Sequence, residues 1–234
     1  MAGEGETASG PATLAFLFSD IEGSTALLRR IGRSPFAQLL DRHEQVGRAA
    51  FGGAGGELLE VEGDGLFAVF PNAEAGVAGA VAFQRGLAAD DWPHGEPLRV
   101  RVGLHAGRVE RAGERYVGVA VSRAKRVCAA AHGGQIVLSA TAADLAADDL
   151  PPGVELRDLG EYALKDVARP ERLFEATVAG LPDVFPAPRA PRADTASTRR
   201  IGGVTQVLLD PRTLTWLAVL VILGLVPVIA LLTR

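Results

Sequence analysis

The stretch LAFLFSDIEGST, residues 14–25, contains the pattern that decides the fold. Its first part, residues 14–18, is a continuous apolar run that predicts a buried strand. The run ends at a carboxylate, Asp20, and a Gly-Ser-Thr sequence follows at 23–25. These residues are typical of the start of a helix, where free backbone N–H groups and the helix dipole favour phosphate oxygens. We therefore predict a strand that ends in a carboxylate beside a phosphate-binding helix terminus.

A second acidic corner follows at Glu62-Gly63-Asp64-Gly65, between apolar segments at 57–62 and 66–70 that predict a β-hairpin. The flanking glycines accept the backbone angles of a tight turn and allow Asp64 to point out of the sheet. The first strand lies beside this hairpin in the predicted topology, so both aspartates point to one spot. Two carboxylates repel each other unless a cation binds between them, and oxygen ligands suit Mg²⁺ or Mn²⁺. The alternative is that Asp20 caps a helix and Asp64 only makes a turn.

The rest of the pattern predicts alternating strands and helices. We predict strands at 14–19, 57–62, 66–70, 98–107, 135–139, 155–165 and 172–178, and helices at 24–52, 73–89 and 119–131. The order β-α-β-β-α-β, with additions at its end, predicts an α+β fold, a ferredoxin-like βαββαβ sandwich. Such a sandwich leaves one face of its sheet free, and two subunits can share a cleft there.

Length and composition limit the class of protein. The chain has 234 residues, a net charge of −4 and a pI of about 5.6, which argue against a general nucleic-acid binder. Its single cysteine, Cys128, has no partner for an internal disulfide, so a reducing cytoplasm suits the protein. Residues 1–11 lack the apolar stretch of a signal peptide and are predicted to be disordered. The globular domain is predicted at 12–180.

The C-terminal part predicts a linker and a membrane anchor. Residues 181–212 begin with the Pro- and Ala-rich sequence LPDVFPAPRAPRADTAST and are predicted to be a semi-extended linker. Residues 214–232 are 19 positions without a charge, about 28 Å of helix, close to the ~30 Å hydrocarbon core of a bilayer. We predict one transmembrane helix at 213–233; the alternative is a buried helix of a soluble core. Arginines are more frequent before this segment than after it, so the positive-inside rule places the domain on the cytoplasmic side of the inner membrane.

Several motifs together resemble one known family. FSDIEGST is followed by GDGLFAVF, and LRVRVGLHAG and RYVGVAVSRAKRV come later in the chain. These segments resemble the class III adenylate/guanylate cyclase catalytic domain. The third resembles the strand that precedes the second half of its site, and the fourth resembles the family's Tyr-x-Gly-x-x-Val-Asn-x-x-x-Arg segment. HGGQIVLS and DLGEYALKDVARPERLFEA resemble the closing strands of its bacterial branch. The resemblance covers residues 12–178.

The resemblance implies that a nucleoside triphosphate is converted to a 3′,5′-cyclic nucleotide and pyrophosphate, in a homodimer whose chains pair head to tail and share each site. It implies that two Mg²⁺ or Mn²⁺ ions are held by Asp20, Asp64 and the backbone carbonyl of Ile21. Arg126 matches the arginine that stabilises charge on the transferring phosphate, a task that suits a planar guanidinium. The predicted contacts of the triphosphate are Gly23, Ser24, Thr25 and Lys165.

Three positions depart from the family pattern. Ser122 replaces the asparagine that orients the ribose. Glu60 replaces the lysine that reads adenine, four residues before the second aspartate, and Arg115 replaces the acidic partner of that lysine. The two charges are thus exchanged. Either both are solvated surface residues in a domain that has lost catalysis, or they meet across the dimer cleft as an ion pair of reversed polarity.

The leading hypothesis is a membrane-anchored nucleotidyl cyclase, active as a homodimer on ATP or GTP, with no nucleic-acid partner. The alternative is a degenerate cyclase-like domain that binds nucleotide, or only dimerises, and acts as a regulatory module. Two further residues are predicted to serve packing, His105 on an apolar strand and Cys128 in a helix. The basic positions around Arg126 are predicted to form a helix that faces phosphate.

Overall fold

The computed structural model of the chain describes residues 12–92, 95, 98–112 and 115–193. The predicted N-terminal segment 1–11 and the predicted transmembrane helix at 213–233 lie outside the described residues. Among the residues that are described, none of the helices has the length and apolar character to cross a membrane. The membrane anchor therefore stays a prediction from sequence.

The described chain alternates strands and helices in the predicted order. The elements are β1 (Ala12–Ile21), α1 (Ser24–Ile31), α2 (Arg33–Gly53), β2 (Glu57–Glu62), β3 (Gly65–Phe70), α3 (Ala73–Ala89), β4 (Val100–Ala112), β5 (Arg115–Val117), α4 (Val119–Ala130), β6 (Ile136–Ser139), α5 (Ala140–Ala146), β7 (Val154–Tyr162) and β8 (Glu171–Val178).

The strands form one mixed sheet in the order β2-β3-β1-β4-β6-β8-β7, and β5 pairs with β4 at its side. The β2-β3-β1-β4 part is antiparallel throughout, and helices α1–α2 and α3 connect its strands. This part is the predicted ferredoxin-like βαββαβ unit. The sheet continues because β6 pairs parallel to β4, and β8 and β7 then add antiparallel strands. The α+β prediction is confirmed for the described residues.

Both faces of the sheet carry helices because β1 alternates apolar side chains on its two sides. Ala15 and Leu17 belong to the main core, which includes buried residues of α2, α3 and α5. Phe16 points to the opposite face and packs with Ala120 and Ala124 of α4. The prediction of a free sheet face is therefore wrong where α4 lies over β1 and β4.

Three local features differ from the sequence prediction. The helix predicted at 24–52 is two helices, because the chain breaks at Gly32 with φ 84° and ψ 170°. The short strand β5 was not predicted, since three residues are too few for a periodic signal. Helix α5 was not predicted either; the hydroxyl of Ser139 caps it by accepting a hydrogen bond from the N–H of Ala142.

The segment 181–193, which we call the arm, packs against the domain although its composition predicts a linker. The N–H of Ala163 donates to the carbonyl of Pro191 at 2.8 Å, and the N–H of Ala193 donates to the carbonyl of Glu161 at 2.9 Å. The compact unit accordingly extends to Ala193, beyond the predicted boundary at 180. Proline lacks an N–H group but keeps its carbonyl, so a Pro-rich segment still pairs with strand ends through its acceptors.

Candidate active site

The two predicted metal-binding aspartates meet at one corner of the sheet. Asp20 lies near the end of β1 and is the register partner of Gly65, the first residue of β3. Asp64 precedes that glycine in the hairpin turn, where Gly63 adopts a positive φ of 62°. The antiparallel pairing of β1 with β3 thus brings the backbones of Asp20 and Asp64 close together at one end of these strands, where both side chains are only partly buried.

Asp20 has a partner that sequence reasoning missed. Nε of Arg101 donates to Oδ2 of Asp20 at 2.7 Å, and a terminal guanidinium nitrogen donates to the same oxygen. The two residues are register partners on β1 and β4, so their side chains share a face of the sheet. The signal was present in the alternation of LRVRVGLHAG, which puts a basic residue on the face away from the main core.

The oxygen atoms at this corner are of the kind that a divalent cation such as Mg²⁺ prefers as ligands. Both hydrogen bonds from Arg101 go to Oδ2 of Asp20, so Oδ1 keeps its acceptor capacity. Asp64 and the backbone carbonyl of Ile21 supply further oxygens, and Mg²⁺ characteristically takes few protein ligands plus phosphate oxygens and water. Across the described ranges, no group of three or more His, Cys, Asp or Glu side chains is arranged for a metal. The corner is therefore suited to a cation that arrives with a phosphate ligand.

Helix α1 starts directly after this corner with an uncapped end. Gly23 occupies the N-cap in the left-handed region, with φ 72° and ψ 24°, a conformation that favours glycine. No side chain caps the helix, Ser24 is half-buried and Thr25 is exposed. Its first N–H groups are consequently not used by a side-chain cap, and the phosphate contact stays a prediction.

A cavity of about 160 Å³ lies between the hairpin, β1 and α4. Phe18 and Phe67 form an aromatic wall, with stacked rings whose centroids are 4.4 Å apart. Lys125 of α4 reaches across it, with Nζ 5.9 Å from the Phe18 ring centroid and 3.5 Å from a carboxylate oxygen of Glu62. The charged residues along the cavity are Asp20, Glu60, Glu62, Arg101 and Lys125.

Ser122 and Arg126 lie one turn apart on α4, away from this cavity. Ser122 is exposed, and Arg126 donates to the carboxylate of Asp166. Lys165 is exposed and adjoins Asp166 in the loop after β7, so the loop holds a lysine near the arginine. Neither Ser122 nor Arg126 is among the described residues that line the cavity at Asp20. The predicted site residues thus form two separate groups within one chain.

Glu60 and Arg115, whose charges are exchanged relative to the family pattern, lie on different strands. Glu60 is exposed on β2, at a register irregularity between Leu58 and Glu60, and lines the cavity. Arg115 begins β5, where its backbone pairs with Ala112 of β4. The structure therefore places one of the two predicted base contacts beside Asp20 and the other on the short added strand.

His43 of α2 is a buried residue near Asp64 that sequence reasoning missed. Its side chain is 1% exposed and its Nε2 has no hydrogen-bond partner. Burial lowers the pKa of His43 to about 4, and the negative charges of Asp64 and Glu44 oppose this shift. His43 is thus neutral at pH 7 and lies within electrostatic range of the predicted metal site.

The two residues predicted to serve packing are in the core. His105 is 4% exposed, and its Nδ1 lies 2.7 Å from the hydroxyl oxygen of Ser139. Burial, followed by the charge of Arg123, lowers the pKa of His105 to about 4. Burial raises the pKa of the Cys128 thiol to about 12. Cys128 therefore keeps its proton at pH 7, and both residues lie buried in the core, as the packing role requires.

Comparison with known proteins gives no matching protein-family model. The uncharacterized protein Rv0891c of Mycobacterium tuberculosis is 32% identical over 186 residues, which cover 79% of this chain and 63% of that protein. The chain therefore spans less than two thirds of this relative's length.

Solved structures of cyclases resemble the described domain. The adenylate/guanylate cyclase/hydrolase from Silicibacter pomeroyi is 26% identical with a TM-score of 0.60, over 73% of this chain and 99% of that one. The adenylyl cyclase CyaB from P. aeruginosa is 22% identical with a TM-score of 0.64, over 71% of this chain and 94% of that one. The chain therefore has the fold of adenylyl and guanylyl cyclase domains.

Proposed function

We propose that the chain is a nucleotidyl cyclase, which converts ATP or GTP to a 3′,5′-cyclic nucleotide and pyrophosphate. The observation that supports this most strongly is the corner where Asp20 pairs with Gly65 and so adjoins Asp64. Two aspartates at neighbouring backbone positions, beside an uncapped helix terminus, suit a metal-bound triphosphate. The cyclase fold of the domain points to the same reaction.

The chemistry is an internal displacement on the substrate. The ribose 3′-hydroxyl loses its proton to water, its oxygen forms a bond to the α-phosphorus, the bond from that phosphorus to the bridging oxygen breaks, and pyrophosphate leaves. Two Mg²⁺ or Mn²⁺ ions held by Asp20, Asp64 and the Ile21 carbonyl would activate the attacking oxygen and stabilise the leaving phosphates. The N–H groups of α1 then bind phosphate oxygens and keep the chain of phosphates in line.

Arg126 stabilises negative charge on the transferring phosphate once it releases Asp166 and binds that phosphate instead. In the single chain it donates to Asp166, which is 62% exposed, so this ion pair is weakly held. A phosphate that carries more charge, presented at the same point, competes well for a guanidinium. Ser122, one turn away on the same helix, would contact the ribose with its hydroxyl.

Two copies are needed to complete this site. Asp20 and Asp64 lie at the hairpin corner, whereas Ser122 and Arg126 lie on α4 outside the cavity. We propose that the homodimer brings α4 of one chain to the corner of the other.

A second candidate function is a regulatory module that binds nucleotide, or only dimerises, without catalysis. The ion pairs of Asp20 with Arg101 and of Arg126 with Asp166 favour this alternative, because each uses a charge that the reaction needs. Ser122 in place of an asparagine favours it as well, since a hydroxyl makes fewer directed contacts than an amide. In this alternative the chain either holds the triphosphate unchanged or binds no nucleotide and only dimerises.

One assay separates the two functions. The full chain, purified in detergent, is incubated with Mn²⁺ and ATP or GTP, and cyclic nucleotide and pyrophosphate are measured together. The proposed cyclase gives the two products in equal amounts. Binding of nucleotide with no product would establish the nucleotide-binding module instead. The absence of both binding and product would reject the cyclase and leave only the module that dimerises.

The base preference is predicted to be weak or to favour GTP. Glu60, when ionised, accepts hydrogen bonds and matches the N1–H and amino group of guanine, whereas Arg115 donates and matches its carbonyl. The double variant Glu60→Lys with Arg115→Asp is expected to raise the ATP/GTP ratio of kcat/KM about tenfold, because mismatched buried polar groups cost about 1–3 kcal/mol. Adding Ser122→Asn is expected to raise the rate. A strong ATP preference of the unaltered chain that the double variant leaves unmoved would show that these positions do not face the base.

Membrane attachment through residues 213–233 is part of the proposal, with the domain in the cytoplasm at the inner membrane. It rests on the uncharged run at 214–232, which is long enough to span a bilayer. Full-length chain is expected in the membrane fraction of a lysate, and a chain that ends after Ala196 in the soluble fraction, since the compact unit ends at Ala193. Full-length chain that is soluble without detergent would reject the anchor.

A further inference from the structure

Glu22 links the metal corner to the start of α1 and contacts two arginines from distant parts of the chain. One carboxylate oxygen accepts from Arg189, and the other lies 3.1 Å from a guanidinium nitrogen of Arg99. The N–H of Glu22 also donates to the carbonyl of Arg99 at 2.8 Å. Its side chain is 19% exposed, so this is a partly buried carboxylate between two cations. Arg189 belongs to the arm, which the sequence places at the far end of the domain.

Arg189 is held in place by its own set of contacts. Its backbone N–H donates to the carbonyl of Ala130 at 2.8 Å, and its Nε donates to Nδ1 of His132 at 3.1 Å. Because Nδ1 accepts, the proton of the imidazole is on Nε2, which lies 2.9 Å from the carbonyl of Ala187 and donates to it. His132 thus bridges two residues of the arm and directs the guanidinium at Glu22.

Gly133 shows how closely these groups approach each other. A Cβ at this position would lie 2.7 Å from Cβ of Arg99 and 2.7 Å from a carboxylate oxygen of Glu22. Real Cβ atoms do not make such close contacts. Glycine is therefore required at position 133 for the turn after α4 to pack on the ion pair of Glu22 with Arg99. The arm, this turn and the Glu22 segment therefore form one packed cluster.

We infer that Arg189 is a positioning residue, through which the arm holds the turn at residues 21–23. That turn carries the Ile21 carbonyl, one of the proposed metal ligands, and Gly23, which begins the phosphate-binding helix. Glu22 lies between them, so a fixed Glu22 side chain limits the backbone motion of both neighbours. The inference rests on the proposed function for its effect on substrate, but the contact itself is independent of activity.

The test uses the full chain in detergent with Arg189→Ala and Arg189→Lys, and with Arg42→Ala as the matched control. Arg42 donates from Nε to Asp90 at 2.7 Å and is 55% exposed, compared with 42% for Arg189, but it lies on α2. Hydrogen exchange of the backbone amides at 22–27 is measured for each variant, and so is the affinity for Mn²⁺ in the presence of a 3′-deoxynucleoside triphosphate, which lacks the attacking hydroxyl. A thermal melt of each variant reports the stability of the whole domain.

Arg189→Ala is expected to speed exchange at 22–27 and to weaken nucleotide-dependent Mn²⁺ binding about three- to tenfold, the range for one charge-assisted hydrogen bond at a partly exposed site. Arg189→Lys is expected to recover part of both effects, and Arg42→Ala to leave both unchanged. Exchange that rises equally over the domain, or Mn²⁺ binding that matches the control, would overturn the inference. If Arg189→Ala speeds exchange at 22–27 but the unaltered chain binds no nucleotide, the contact of Arg189 with Glu22 stands and the proposed function is rejected.

Discussion

Asp20→Asn and Asp64→Asn are each expected to lower cyclic nucleotide formation by about 10³-fold or more, since metal ligation supplies several kcal/mol of charge stabilisation. Asparagine keeps the size of aspartate but removes the negative charge that a cation needs. In Asp20→Asn the amide oxygen still accepts from Arg101, which limits the disturbance of the sheet. Product formation and nucleotide-dependent Mn²⁺ affinity are both measured, because the two must fall together if these residues hold metal.

Asp90→Asn is the control for this experiment. Asp90 accepts from Nε of Arg42 at 2.7 Å, the same distance as in the Asp20–Arg101 pair, and lies at the end of α3. The Asp90→Asn substitution removes one charge from one arginine–carboxylate pair and is expected to leave activity unchanged. Mn²⁺ affinity that is unaltered in Asp20→Asn and in Asp64→Asn would contradict the metal site.

Gly103→Ala is expected to destabilise the domain by about 3 kcal/mol or more, at the upper end of the cost of overpacking. A Cβ at this position would lie 2.1 Å from the backbone nitrogen of Cys128 and 2.3 Å from its Cα. Backbone atoms do not rotate away as a side chain does, so α4 must move off β4. These elements carry Arg101 and Arg126, and the change is expected to reduce activity together with stability. The corresponding fall in Tm is about 6–12 °C for a domain of this size.

Gly52→Ala is the matched control for Gly103→Ala. Gly52 lies near the end of α2, and a Cβ there meets no atom within 4 Å. Alanine in an open helical position stabilises by up to about 1 kcal/mol. Its Tm is therefore expected to equal or exceed that of the unaltered chain. A Tm for Gly103→Ala within error of the unaltered chain would show that α4 does not pack on β4 as described.

The elements that the sequence predicts well are those set by local chemistry. Helix α3 agrees with the predicted 73–89 because its apolar face is continuous and Asn72 caps it through the N–H of Ala75. The hairpin agrees because glycines flank Asp64 and fix the turn. The corner of two carboxylates could be predicted for the same reason, since it needs only a strand end, a turn and their adjacency.

What the sequence could not predict depends on pairing between distant residues. The bond from Arg101 to Asp20 requires the register of β1 with β4, which hydrophobic alternation alone does not specify. The arm has a linker's composition, and its packing depends on distant partners: Arg189 reaches Glu22, and backbone groups of the arm bond to Glu161, Ala163 and Ala130. The roles of Ser122 and Arg126 came from resemblance, since an exposed serine and arginine on a helix carry no signal of their own.

Two copies of the chain are proposed to share each cyclase site, and mixing two inactive variants tests this sharing most directly. Asp20→Asn lacks the metal corner and Arg126→Ala lacks the α4 group, so each variant alone is expected to have little activity. Chains of the two variants are purified separately, mixed, allowed to exchange subunits and assayed with Mn²⁺ and ATP or GTP beside the unaltered protein. The proposal predicts that the mixture forms cyclic nucleotide well above the sum of its parts, because one site in each mixed dimer keeps both groups. An unaltered protein that is active, with a mixture no more active than that sum, would contradict the shared site.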